Sequence, residues 1–272
     1  MNEQKDTSPK QGPLLDVRDV NKSFGGVQAV SSVDFALAQG SITGLIGPNG
    51  AGKTTLFNLI TGVFPPDTGS IIFDGRTIHK KSMHELVNRG ISRTFQNVEL
   101  FDSMSVLENI LVGQHTRTRC GMLGSILRPP WVRREERQAQ RKAFELLEFV
   151  GLSDCADKKS GDLPFGWQRL LELARALAAR PGLLLLDEPA AGLNMVETGR
   201  LAELIQKVQD SGVTILLVEH DMSLTMEICE SIVVLDQGKK IAEGAPREIQ
   251  EDETVIRAYL GTGREAAAGG DA

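Results

Sequence analysis

The 272-residue sequence predicts an α/β fold, a mostly parallel sheet covered by helices, from three observations. A short apolar stretch, Ser41 to Ile46, runs into a glycine-rich loop that opens a helix at Thr54 to Thr61. Leu183 to Leu186 is a four-leucine run bounded by Pro181-Gly182 and Asp187; it is too short for a helix and reads as a parallel strand buried on both faces. Strand, helix and strand then alternate from Leu183 to Val218, the order that builds βαβ units.

Taken from the start, Leu14 to Val20 and Val33 to Ala38 alternate apolar and polar residues as half-buried strands, with Phe24-Gly25-Gly26 as a turn between them. Phe64-Pro65-Pro66-Asp67-Thr68-Gly69 is dense turn chemistry, and Ser70 to Phe73 with Asp74-Gly75 forms half of a hairpin. Ser82 with Glu85, and Ser105 with Glu108, have capping-box spacing and start two short helices. From Gln114 to Arg134 the pattern breaks into Arg, Gly and Pro, ending in Arg128-Pro129-Pro130-Trp131, which reads as a surface loop. Ala143, Leu146, Leu147 and Val150 make the apolar stripe of a helix stopped by Gly151, and Leu170, Leu173, Ala174 and Leu177 repeat that stripe before Pro181. Leu201, Leu204, Ile205 and Val208 mark a helix closed by Gly212, followed by an apolar strand from Thr214 to Val218. Ser231 to Leu235 and Lys240 to Glu243 flank the Gln237-Gly238 turn, and Val255 to Leu260 makes a last small helix.

With 41% hydrophobic residues the chain has material for one large domain or two small ones. A net charge of −6 argues against general affinity for a nucleic acid backbone. Met1 to Pro13 lacks the apolar segment of a signal peptide, and no apolar run approaches bilayer length, so any membrane role is expected to be peripheral and to need a partner. Cys120, Cys155 and Cys229 are odd in number and lack metal-ligand spacing, as in reduced cytosolic proteins.

Gly47-Pro48-Asn49-Gly50-Ala51-Gly52-Lys53-Thr54-Thr55 fits G-x-x-x-x-G-K-[ST] in full. Glycines after a strand turn their N–H groups inward, and the helix start behind them adds partial positive charge, which together cradle phosphates. Lys53 is then placed to reach the β- and γ-phosphates of a purine nucleoside triphosphate and the Thr54 hydroxyl to ligate Mg²⁺. Asp187 and Glu188 follow the leucine run directly, at the carboxyl end of a strand where open α/β sheets bind ligands. There Asp187 would hold the Mg²⁺ shell through water while Glu188 orients the water that attacks the γ-phosphate; the alternative is two acids capping a loop. His220 has the same placement after Thr214 to Val218 and Glu219, within reach of a γ-phosphate, although a lone histidine is more often structural. Gln96 follows the apolar stretch Ile91 to Phe95, and its amide suits Mg²⁺ or the attacking water; by itself it is an ordinary loop glutamine.

The ordered set of Gly47 to Thr55, Gln96, a glycine-centred motif at Leu163 to Arg169, Leu183 to Pro189 and His220 resembles the nucleotide-binding subunit of an ABC transporter over nearly the whole chain. The resemblance implies a P-loop NTPase of ABC type, with a central mostly parallel sheet, an antiparallel β subdomain and an inserted helical subdomain at about 97–179. The ATPase domain would span 13–261, between a flexible tail at 1–12 and a disordered one at 262–272. It further implies that Gln96 is the Q-loop residue and a Mg²⁺ ligand with Thr54 and Asp187, that Asp187 and Glu188 are the Walker B pair, and that Ala190 to Asn194 is the D-loop. His220 would be the switch histidine, and Phe24 the aromatic that stacks on adenine, with core packing as the alternative use of that ring. Phe24-Gly25-Gly26, Arg93-Thr94-Phe95-Gln96, Ala190-Ala191-Gly192-Leu193-Asn194, Glu219-His220-Asp221-Met222 and Val255-Ile256-Arg257-Ala258-Tyr259-Leu260-Gly261 are similar to the high-affinity branched-chain amino-acid importer ATPases, and the loop at 114–134 resembles that subfamily's insertion. Such a subunit uses ATP and Mg²⁺ at the cytoplasmic face of the inner membrane, with a second ABC ATPase subunit, a transmembrane permease and, indirectly, a solute-binding protein as partners, and no nucleic acid. The rival class is a soluble ABC-type ATPase acting on ribosomes or DNA, which usually needs two fused cassettes, a long coiled coil or a basic surface; a kinase-like phosphotransferase would need neither the 163–169 motif nor His220.

One departure from the family pattern stands out. Leu163-Pro164-Phe165-Gly166-Trp167, then Gln168, occupies the place where Leu-Ser-Gly-Gly-Gln is usual. In the family this signature closes over the γ-phosphate held by the partner of a head-to-tail dimer. Pro164 brings neither a hydroxyl nor an N–H, and losing one preorganised donor costs roughly 2.7–4 kcal/mol of transition-state stabilisation. The site completed by this signature is therefore expected to be the weaker of two, which favours a heterodimer over a homodimer. Replacing Pro164→Ser together with Phe165→Gly in a reconstituted transporter should raise ATP turnover, and an unchanged rate would count against the weak-site reading.

Overall fold

The computed structural model describes residues 12–96, 98–114, 130–220 and 222–259. The predicted tails at 1–12 and 262–272 therefore lie outside the described residues, except for Gly12, and so does most of the loop at 114–134.

Strands β1 (Leu15–Phe24) and β2 (Val27–Leu37) form a long antiparallel hairpin around Gly25-Gly26. They run further than the alternating pattern indicates. Register shifts between Val17 and Val20 and again near Lys22, with positive φ at Asp19 and Ser32, break the period of two and hide the outer half of the hairpin. β3 (Ile42–Ile46) leads through the glycine loop into α1 (Lys53–Ile60). β4 (Thr68–Phe73) and β5 (Arg76–Thr77) complete the predicted hairpin, and with the first two strands they make an antiparallel sheet in the order β2-β1-β4-β5.

Both predicted capping boxes are present: Ser82 and Glu85 start α2 (Met83–Arg89), Ser105 and Glu108 start α3 (Val106–Gly113), and β6 (Ile91–Arg93) lies between them. Next among the described residues, α4 (Pro130–Val150) begins four residues before the predicted end of the loop, which corrects that boundary. Pro at a helix start loses only an N–H that has no partner within the helix, so Pro130 opens a helix rather than prolonging a loop. α5 (Phe165–Ala178), β7 (Leu183–Asp187), α6 (Met195–Asp210), β8 (Thr214–Val218), α7 (Met222–Ile228), β9 (Ser231–Asp236), β10 (Lys239–Gly244) and α8 (Pro246–Glu251) follow, with a helical segment at 253–259. Asn194 caps α6 through a third capping box with Glu197.

The second sheet has the order β10-β9-β3-β8-β7-β6, parallel except for the β9–β10 hairpin. Its buried strands feed two cores. Leu183, Leu185, Leu216 and Val218 face a core shared with α1 and the antiparallel sheet, while Leu184, Leu186, Ile215 and Leu217 face one shared with α3 to α7. A period of two with both faces covered is the reason the strand is written as consecutive leucines. Among the described residues no helix is long and apolar enough to cross a membrane.

Leu184 is fully buried, so Leu184→Ala should destabilise the fold by about 2–5 kcal/mol in urea unfolding. Removing the half-buried Ser105 cap (Ser105→Ala) should cost only about 1 kcal/mol.

Candidate active site

β3 stays in the parallel ladder to Ile46, and the chain then has to turn into α1 within six residues. Two positions of that turn admit only glycine. A Cβ on Gly47, at φ +151°, would stand 2.1 Å from Leu235 O, and one on Gly52, at φ +97°, would stand 2.5 Å from Ala29 O. The loop is fastened from outside by the Gly238 N–H, which donates to Ala51 O at 3.0 Å, while Ser31 N–H donates to Gly238 O at 2.7 Å. Asn49, Gly50 and Thr54 face solvent, Pro48 and Ala51 are buried, and Thr55 is half-buried. The first turn of α1 holds no acidic residue, so its positive end is left for an anion.

Lys53 is only 6% exposed, and its ammonium donates to Gly47 O at 2.6 Å and Pro48 O at 3.0 Å. Burial pushes its pKa below the ordinary lysine value, against the pull of Glu188 and Asp187.

β7 and β8 are paired in register through Asp187 opposite Val218, which brings Glu188 and the Glu219-His220 dipeptide off the sheet side by side. Asp187 is 5% exposed, and Arg93 Nη2 donates to its Oδ2 at 2.6 Å. The same guanidinium donates from Nη1 to Asn58 Oδ1 at 2.6 Å and stands over the rings of Phe57 and Phe95. Glu188 has a left-handed backbone, φ +47°, and its N–H donates to Val218 O at 2.8 Å. A non-glycine residue in that region costs on the order of 1–3 kcal/mol, a strain that concentrates at functional positions. Its carboxylate accepts from Gln96 Nε2 at 2.9 Å on one oxygen and meets His220 Nε2 at 2.8 Å on the other. Lys53, Gln96, Asp187, Glu188 and His220 thus converge at one sheet edge, although they come from four separate parts of the chain.

Several residues that hold this edge have no role that the sequence assigns to them. Arg169, nearly buried, donates from Nη2 to Gln96 O at 2.6 Å and from Nη1 to Phe95 O at 3.1 Å, while Phe95 N–H donates to Glu172 Oε1 at 3.1 Å. Burial pushes the Glu172 carboxyl up, against that N–H bond and the Arg169 charge. Buried Glu219 accepts from Ala190 N–H at 2.7 Å and His220 N–H at 2.9 Å, joining the segment after Glu188 to the histidine.

The 163–168 segment starts α5, with Pro164 at the cap and its carbonyl accepting from Trp167 and Gln168 N–H. Gln168 Nε2 donates to Leu163 O at 3.0 Å. Gly166 packs so closely on Glu197 that a Cβ would lie 2.5 Å from its carboxylate oxygen, and the exposed Phe165 ring lies against Gly192. Phe24 sits at the tip of the β1–β2 hairpin, 45% exposed, edge-on to Phe64 at 5.1 Å and beside the Lys22 ammonium. Its ring is therefore outside the core.

The donors fit a nucleoside triphosphate with a hard cation: a glycine cradle with an unneutralised helix start, a buried ammonium, and oxygens from a carboxylate, an amide and a hydroxyl. Among the described residues no group of three or more His, Cys, Asp or Glu is placed to hold a metal ion.

Comparison with known proteins agrees with this geometry. The family model described as ABC transporter matches residues 30–191, and that of the branched-chain amino acid ATP-binding cassette transporter matches 239–265. The chain is 45% identical over 250 residues to the high-affinity branched-chain amino acid transport ATP-binding protein BraF of Pseudomonas aeruginosa, covering 92% of this chain and 98% of the relative. It is 44% identical to LivG of Escherichia coli, a protein of the same description, over the same shares. Of solved structures, a nucleotide-free ATP-binding cassette from an ABC transporter superposes with a TM-score of 0.80 at 33% identity, covering 91% of this chain and 98% of that one. An ABC transporter cassette in its ADP conformation gives 0.81 at 34%, covering 92% and 99%.

Arg93→Met would leave Asp187 buried without its guanidinium and should destabilise the fold by about 3–5 kcal/mol in chemical unfolding. Adding Asp187→Asn should recover part of that loss; no recovery would mean that Arg93 acts through Asn58 and the phenyl rings instead.

Proposed function

The chain belongs to the ABC transporter family and is an ATPase of that type, and from this premise we propose that it is the MgATP-hydrolysing subunit of an importer for branched-chain amino acids or related small solutes. The observation that carries the chemistry is Glu188, held between Gln96 and His220 one residue past Asp187 and within the field of buried Lys53. The solute class is supported by the names of the relatives and by the match over 239–265.

In this reading Gly47, Pro48, Asn49, Gly50, Ala51, Gly52, Lys53, Thr54 and Thr55 cradle the phosphates, and Phe24 offers a ring face to the base. Thr54, Gln96 and Asp187 would hold Mg²⁺, which would supply positive charge against the phosphate oxygens. Glu188 orients and polarises water, His220 keeps that carboxylate in line, and Lys53 turns from the loop carbonyls to the phosphates; the rate comes from positioning and electrostatics. Leu163, Pro164, Phe165, Gly166, Trp167 and Gln168 close the site of a second ATPase subunit, and the unusual signature favours a paralogue over an identical copy. Residues 13–261 form the ATPase domain, with 97–179 as its helical subdomain. The subunit works on the cytoplasmic face of the inner membrane against a permease, and a solute-binding protein acts at one remove.

Glu188→Gln should keep ATP binding while hydrolysis falls at least about a hundredfold. Full turnover in that variant would remove Glu188 from its role. Co-purification from membranes with a multi-span permease should accompany the wild type, and a subunit found only with ribosomes or DNA would favour the soluble alternative.

A further inference from the structure

Arg93 closes β6, the edge strand of the six-stranded sheet, and pairs in the ladder with Leu185, two residues before Asp187. Leu185 faces the core shared with α1, so the period of two turns Asp187 and the paired Arg93 toward that same side. The Arg93 side chain is 10% exposed and that of Asp187 7%. Nη2 donates to Asp187 Oδ2 at 2.6 Å, while Nη1 donates to Asn58 Oδ1 at 2.6 Å. The guanidinium carbon lies 5.6 Å from the centre of the Phe57 ring and 5.2 Å from that of Phe95. Nε is buried and finds no acceptor among the described residues, so the group is aimed by the two ends of its fork and the rings beside it, not by its stem.

Each of these contacts lies beside a residue read above as a cation ligand. Asn58 stands one helical turn after Thr54 on the same face of α1. Asp187 is met directly, and only at Oδ2. Gln96 follows Arg93 by three residues, past the Thr94 hydroxyl that accepts from Asp187 N–H at 3.3 Å and the Phe95 ring beside the guanidinium. A planar fork bonded at one tip to a helix and at the other to a strand end fixes the distance between them, and a lysine ammonium has no such fixed fork. We propose that Arg93 is a positioning residue for the cation: it locks α1 to the end of β7, so that the Thr54 hydroxyl and the Asp187 carboxylate keep one spacing for Mg²⁺ arriving with a nucleoside di- or triphosphate. This deepens the proposed function and rests on its reading of Thr54, Gln96 and Asp187 as the residues that would hold Mg²⁺.

Asn58→Ala removes the α1 end of the clamp at a half-buried position and leaves the Arg93–Asp187 pair in place, while Arg93→Lys keeps the charge and gives up the fork. Calorimetric titration of the full-length proteins with ADP, once with Mg²⁺ and once with EDTA, separates cation binding from nucleotide binding and from turnover. Wild type should bind MgADP more tightly than free ADP. Both variants should match wild type in EDTA and bind MgADP about tenfold more weakly, the size of loss seen when a partner that orients a metal ligand is removed. A role in stability alone would weaken both affinities equally or leave both unchanged, and either result in a folded variant overturns the inference. Should Arg93→Lys not fold, Asn58→Ala decides. A wild type that binds ADP equally well in the two conditions also overturns it. A wild type that binds ADP in neither condition removes the nucleotide-site reading, and this inference with it.

Discussion

Lys53 carries an ammonium into a place where it keeps 6% of its exposure, and much of the surrounding geometry answers that buried charge. Two loop carbonyls accept hydrogen bonds from it, and Asp187 and Glu188 supply the opposite charge from the end of β7. Those acids then need partners of their own, because a buried carboxylate without them is as costly as the ammonium. Arg93 meets Asp187; Gln96 and His220 meet Glu188. Gln96 and Phe95 are in turn held at their backbones by Arg169 and Glu172 from α5. A charge buried behind the glycine loop is thus compensated by contacts that reach into the helix carrying the 163–168 segment, and a phosphate arriving at Lys53 would redistribute all of them.

The parallel ladder is what makes this compensation geometrically possible. Asp187 opposite Val218 means that the two chains leave the sheet together, so Glu188 and His220 meet although they are 32 residues apart. A slip of one residue would turn the leucines of β7 from one core to the other and separate the acids from the histidine. The two-sided burial of Leu183 to Leu186 therefore secures the register, and the register secures the site.

How much of this was legible in the sequence follows from how local each signal is. The glycine loop, the leucine run ending in two acids and the capping boxes at Ser82 and Ser105 are set by neighbouring residues, and each appears where the pattern puts it. The outer half of the first hairpin was hidden by its register shifts, and Pro130 opens a helix where the sequence reads as loop. Arg93, Arg169, Glu172 and Glu219 carry no periodicity or spacing that marks them, because their partners lie 94, 73, 77 and 29 residues away. The left-handed backbone of Glu188 is equally silent, since glutamate is not a residue type that announces such a turn.

The structure also sharpens what Pro164 does. At the cap of α5 its missing N–H is one that a helix never uses, and its carbonyl still receives the bonds from Trp167 and Gln168. The intrahelical bonding at the start of α5 is therefore intact, while toward an incoming phosphate Pro164 offers neither a hydroxyl nor an N–H. Gly166 is fixed for a different reason, the contact with Glu197, whose carboxylate is held in place by the Asn194 cap of α6. A phosphate closing on this helix start would gain the N–H dipoles and lose against the nearby carboxylate, two effects of similar size at a helix terminus. Both the missing hydroxyl and the fixed Glu197 charge act in the same direction, so the proposed weakness of the site completed by this segment arises from two neighbouring helices, and restoring the hydroxyl addresses only one of them.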